Sequence, residues 1–310
     1  MWMSPGTERG PSAWYLRCRM GHTAAAAAVT VVFILLYLAR GRDSAALPSV
    51  PNRAEMTTLA IVLALFGVPH GATDHLVAAA IFKRQFPRAW LAVFVAVYLA
   101  MMGAVVLCWR IAPTFSLASF LLMSVVHWGL GDAEEDLLSS RHMLALEVCV
   151  RGSIPILLPC VSFPAQVTAI FAWLVGPHAE TDDLATILRA AHLSTAPFSL
   201  ALVACIAYHT AAAWGTHLRP PPARTRMQTP VALQTWRHLY TSVELLLLPA
   251  LCVVCPPLTS FMIYFCLWHS VRHILCVSSA TFDALRWQAT SVFVCERDRD
   301  RQNDRQAGSE

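Results

Sequence analysis

Charge is scarce in this chain. Only 14% of its 310 residues are Asp, Glu, Lys or Arg, where an ordinary soluble domain carries about 25%. Lysine is nearly missing, with Lys83 the sole example. The net charge of +4 therefore rests on arginines. They sit in short hydrophilic segments between apolar blocks, as in loops beside a membrane, and form no basic patch of the kind that binds nucleic acid. Cysteine is not short, at ten residues, but Cys252 and Cys255 make the only C-x-x-C. No second pair follows at zinc spacing, so the cysteines read as small apolar residues on helix surfaces. The N-terminal run from Thr23 to Ala39 lacks a clean small-x-small cleavage site, so it is expected to stay as a first helix.

What fills the chain is apolar surface. Hydrophobic residues make up 56%, and mean hydropathy is +0.53. A membrane-spanning helix needs about 20 mainly apolar residues. Candidate spans are 23–39, 57–82, 89–109, 114–130, 143–175, 196–217, 240–255 and 257–277. The fifth contains Pro155, Pro159 and Pro164 and is either one kinked span or two short ones. These blocks predict an all-α fold, a polytopic transmembrane bundle of about eight helices (seven to nine). It divides into an N-terminal segment 1–22, a membrane domain 23–277 and a hydrophilic, partly disordered tail 278–310. Residues 131–142, 176–195 and 218–238 read as polar connections.

Ionisable side chains inside a bilayer are costly and are functional hypotheses by default. Several of the twelve histidines fall in apolar spans. His269 and His273, in WHSVRH, stand four residues apart, on one helix face about a turn from each other. That spacing can set two imidazoles on one metal ion. The competing reading is a pair of core histidines bonded to backbone carbonyls. His70 lies in GVPHGATDH, where Pro69 removes a backbone donor and Gly67 and Gly71 remove bulk. A distorted, closely packed helix is expected there. His70 shares a face with Asp74, whereas His75 points elsewhere by about 140°. His70 is the better ligand candidate and His75 the runner-up. His127, in HWGLGDAE, is followed by Asp132 and Glu134.

Four histidines on three helices suit iron, zinc or copper. Asp74, His75, Asp132 and Glu134 are candidates for the surrounding layer, the carboxylates accepting the second ring N–H of ligating histidines. Arg272 is expected to pair with a nearby carboxylate, and Glu147 with Arg151. Tyr208-His209 can line a cavity. His22, His142, His178, His192, His217 and His238 read as solvated positions in or beside loops.

The ordered motifs GVPHGATDH, HWGLGDAE and WHSVRH resemble the Brp/Blh family, integral-membrane β-carotene 15,15′-dioxygenases of bacteria and archaea. The resemblance runs from about residue 67 to 273, most of the membrane portion. It implies Fe(2+) held by His70, His127, His269 and His273, with β-carotene and O2 as substrates and retinal as product. It also implies an apolar tunnel, for which Phe66, Trp128, Tyr264 and Trp268 are lining candidates. A multi-pass location in a prokaryotic plasma membrane and a functional link to a retinal-binding opsin follow. The chain itself does not suit an opsin, which needs a lysine inside a helix for its Schiff base.

Other classes remain open from the residues alone. A lipid desaturase or hydroxylase would carry H-x-x-H-H, which is missing here. A haem carrier would need histidines on two helices facing across the ring. A histidine-based metal transporter would need polar residues along a continuous path.

Overall fold

The computed structural model describes residues 13–39, 53–72, 74–83, 85–176, 181–218 and 231–279. Among these, every regular element is helical. Eight helices among the described residues are long and apolar enough to cross a membrane: α1 (Trp14–Ala39), α2 (Thr57–Ala79), α3 (Trp90–Ile111), α4 (Pro113–Asp132), α5 (Arg141–Ser162), α7 (Asp182–Gly215), α8 (Ala232–Val254) and α9 (Pro257–Ser279). A shorter helix, α6 (Pro164–Val175), follows α5. The chain is therefore an all-α, multi-pass bundle. Helices suit this setting because they satisfy their backbone polar groups internally, where lipid offers no partners.

Proline sets the breaks. Ala112 and Phe163, each directly before a proline, leave the helical region with φ near −142° and −136°. A residue before proline is crowded out of the α conformation. The 143–175 block is thus two helices split at Phe163. Pro155 and Pro159 stay inside α5, and Pro164 opens α6, where its missing N–H costs nothing.

Three helices extend beyond the apolar blocks that announced them. The first begins at Ala13 rather than residue 23. Its polar turn survives because Arg19 donates to Tyr15 Oη at 2.9 Å and pairs with Glu134 at 3.2 Å. The segment expected to connect at 181–195 is helical from Thr181. Asp182 and Asp183 occupy its first turn, where the helix dipole favours negative charge. Thr186, Ser194 and Thr195 bond to carbonyls four residues back and so need no outside partners. Helix α8 belongs to a run that starts at Val231, before the expected residue 240. The tail lies outside the described residues from 280 onward.

The core lies between α1, α4, α5, α7, α8 and α9, and includes Trp128, Ile154, Cys205, Leu245, Leu251, Tyr264 and Trp268. Helix α3 has no buried residue. Helices α4 and α5 cross at very short range. A Cβ on Gly129 would stand 2.0 Å from the Val148 carbonyl oxygen, and one on Gly152 would stand 1.8 Å from that of Val125. Backbones meet there because both glycines lack side chains. The close packing expected at Gly67 is found, since a Cβ there would stand 3.3 Å from the Phe265 ring; Gly71 departs from it, since a Cβ there would meet nothing within 4 Å.

Candidate metal centre

Two π-helical turns shape the site. One spans Leu63–Gly67 on α2, just before Pro69 and His70. The distortion expected around Pro69 takes this form: the Val68 N–H reaches back to the Leu63 carbonyl, five residues away. The other spans Ile263–Ser270 on α9 and contains His269. Such turns recur at functional sites because the extra residue re-aims side chains. Here the effect is specific. Tyr264 and His269 are five residues apart, off-face in an α-helix by about 140°, yet both reach one carboxylate, that of Asp132.

The four histidines converge. The ligand nitrogens of His70, His127 and His269 lie within 4.8 Å of one another. The His273 ring is 4.2 Å from that of His70, centre to centre, and 6.4 Å from those of His127 and His269. His70 comes from α2, His127 from α4, and the other two from α9. His269 is fully buried, His70 and His273 are half-buried, and His127 is the most open. Gly131 makes this approach possible, since a Cβ there would stand 2.9 Å from His269 Cε1.

Asp132 organises the buried side. Its Oδ1 lies 3.3 Å from His269 Nδ1, and its Oδ2 accepts from the Tyr264 hydroxyl at 2.7 Å. With Nδ1–H donating to the carboxylate, His269 Nε2 is left as a lone-pair nitrogen. That atom and His273 Nε2 are buried with no hydrogen-bond partner among the described residues. Buried polar atoms are normally paired. Two orphaned imidazole nitrogens among four converging rings are what a bound metal would satisfy, so the residues fit one.

The remaining candidates sort by distance from this cluster. Asp74 and His75 line a cleft of about 270 Å³ between α2 and α3, with Gly71, Phe94 and Tyr98. His75 Nδ1 is occupied by the Ala72 carbonyl at 2.7 Å. Glu134 is turned to other work, held by Arg237 at 2.5 Å and Arg19 at 3.2 Å. Burial alone would raise its carboxyl, but Arg19 and then Arg237 hold it down at about 2. Arg272 does pair with carboxylates, bonding Glu244 and lying 3.9 Å from Asp132. Glu147 and Arg151 pair at 2.6 Å.

Among the aromatic candidates, Trp128 packs beside His269 at 6.3 Å between ring centres. Tyr264 is tied to Asp132. Trp268 is locked against α1 by donating to Thr30 Oγ1 at 3.0 Å. Phe66 is 37% exposed on the outer surface. Phe265 was missed: its ring lies 5.8 Å from His70 and 6.0 Å from His269. Its place four residues before His269 was the available signal.

Several histidines expected in solvent lie elsewhere. His238 is buried on α8 against His209, with their Nδ1 atoms 2.9 Å apart. His209 is therefore packed inside the bundle. His22 sits within α1, its Nε2 2.5 Å from the Leu267 carbonyl oxygen. His142 and His192 are exposed, as expected, although His192, like His217, lies on the Thr181–Leu218 helix, and His178 falls outside the described residues.

Comparison with known proteins agrees with this architecture. Residues 60–301, which include all four histidines, match the family described as beta-carotene 15,15′-dioxygenase. The probable beta-carotene 15,15′-dioxygenase Blh of Halobacterium salinarum is 30% identical over 244 residues, covering 74% of this chain and 65% of the relative. The beta-carotene 15,15′-dioxygenase of an uncultured marine bacterium, 66A03, is 30% identical over 220 residues, covering 69% of this chain and 66% of the relative. The matches thus span just under two thirds of each relative's length. No solved structure matches the chain. On the family match and these relatives, the chain belongs to the beta-carotene 15,15′-dioxygenase family.

Proposed function

We propose that this chain is an iron(II)-dependent dioxygenase that cleaves the central double bond of β-carotene with O2, giving two molecules of retinal. The observation that carries the reading is the convergence of His70, His127, His269 and His273 around two orphaned Nε2 atoms. Zinc, which also suits imidazole, has no redox chemistry. Iron(II) held by four neutral imidazoles would supply the site at which O2 becomes reactive.

The chain's own contributions are orientation and exclusion. Asp132 fixes the His269 ring through Nδ1 and is itself fixed by Tyr264. Trp128, Phe265 and Phe261 form an aromatic wall next to the imidazoles that keeps water from the reacting polyene. The cleft beside Asp74 and Tyr98 opens between helices that face lipid, where β-carotene dissolves. Both oxygen atoms of O2 end in the two aldehydes, so the balanced reaction requires no external reductant and no acid or base residue. We place the protein in a prokaryotic plasma membrane, where the retinal it releases supplies a retinal-binding opsin.

The test is to supply purified, iron-loaded protein with β-carotene in air. Recovery of retinal supports the reading. No product from folded, iron-loaded protein sinks it.

A further inference from the structure

A second buried cluster adjoins the histidines. Glu147 on α5 is fully buried, Arg151 one turn later is 2% exposed, and Glu244 on α8 is 4% exposed. Arg151 donates through Nε to Glu147 Oε1 at 2.6 Å and through Nη1 to Glu244 Oε1 at 2.8 Å. Arg272 on α9 donates to the same Glu244 oxygen, and its Nη1 stands 3.9 Å from Asp132 Oδ1. At the other end, His209 donates through Nε2 to Glu147 Oε2 at 2.7 Å, while its Nδ1 faces His238 Nδ1 at 2.9 Å. One proton arrangement satisfies these bonds with both imidazoles neutral: His209 carries its hydrogen on Nε2, and His238 donates from Nδ1.

The charges in this array do not cancel. Asp132, Glu147 and Glu244 are three buried carboxylates, and Arg151 and Arg272 are two buried guanidiniums. One negative charge is left over. The neighbouring group at the bundle's end balances itself, since Arg19 and Arg237 pair with Glu134 and Asp136. A lone charge inside a membrane bundle is expensive unless something of opposite sign lies near it. The array ends on Asp132, against His269.

We infer that the array Glu147–Arg151–Glu244–Arg272–Asp132 is the built-in counter-charge of the metal centre. Its single surplus negative charge offsets half the charge of the dication that four neutral imidazoles would hold, and Glu244 acts on that ion through Arg272 and Asp132. The inference rests on the iron reading above and adds to it. The affinity for a divalent ion is set from α5 and α8, which contribute none of the four histidines.

The experiment measures the iron(II) dissociation constant of the full chain in detergent, by competition with a chromogenic chelator. Glu244→Gln keeps the shape and removes the surplus charge, and iron binding should weaken about 10- to 100-fold, the range for groups behind a ligand. The double variant Glu147→Gln with Arg151→Gln removes one charge of each sign and leaves the surplus in place, so it should bind iron more tightly than Glu244→Gln. Unchanged binding in Glu244→Gln overturns the inference. So does a double variant as weak as Glu244→Gln, because the cluster would then act through packing and not through charge. Should Glu244→Gln fail to fold, Glu147→Gln alone carries the test: weaker binding supports the inference and wild-type binding overturns it. Wild-type protein that binds no iron would instead remove the metal reading itself.

Discussion

The Nδ1 of His269 lies 3.3 Å from Oδ1 of Asp132, and neither group has more than 2% of its side chain exposed. A carboxylate behind a ligating imidazole fixes the tautomer and raises the basicity of the far nitrogen. Replacing Asp132 by Asn should therefore weaken iron binding by about 10- to 100-fold while leaving the helices in place. Chelator competition and circular dichroism on one preparation check both parts. Wild-type affinity in the variant would show that the contact does not serve the metal.

Gly131 and Gly152 separate site from scaffold. A methyl on Gly131 meets the His269 ring at 2.9 Å, whereas one on Gly152 meets the Val125 backbone oxygen at 1.8 Å. Gly131→Ala should lose iron with a near-normal melting temperature. Gly152→Ala forces α4 and α5 apart and should cost at least about 1–3 kcal/mol, the usual range for overpacking. Melting curves and metal content for the pair decide it, and a reversed pattern would contradict the assignment.

His70 and His75 should part company. His70 stands 4.2 Å from His273 between ring centres, while His75 is held by the Ala72 carbonyl. His70→Ala is expected to abolish iron retention, and His75→Ala to keep it. Metal analysis after dialysis distinguishes them. Iron lost from His75→Ala but kept in His70→Ala would exchange their roles.

The clamp at Glu134 gives a pH signature. Its carboxyl, raised by burial but lowered further by Arg19 and Arg237, sits at about 2 in the folded protein. In an unfolded chain a glutamate titrates near about 4.3. Because the folded value is the lower one, the stabilisation is full above about 4.3 and disappears as pH falls toward the folded value. The melting-temperature gap between wild type and Glu134→Gln should be widest at pH 7 and close steadily below pH 4. A gap that does not change with pH would show that the charge on Glu134 is irrelevant.

Local spacing made half of this site legible. His269 and His273 announce themselves by a four-residue interval, and Asp132 by following His127 near a helix end. The partners of the buried charges did not. Glu244 and Arg151 stand 93 residues apart, and nothing local in either helix marks the other. Arg237 and His238 looked like loop residues because they are polar and precede an apolar block. They are buried because their partners arrive from α7 and the turn after α4. The π register of α9 was also hidden, since a helical period assigns Tyr264 and His269 to different faces.

Metal content and product identity, measured on one purified sample, test the central claim most directly. Iron-loaded protein given β-carotene in air should yield retinal as the sole carotenoid product, two molecules for each β-carotene consumed, and a dialysed, iron-free sample should yield none. Products of unequal length, or retinal formed equally well without iron, would contradict the account.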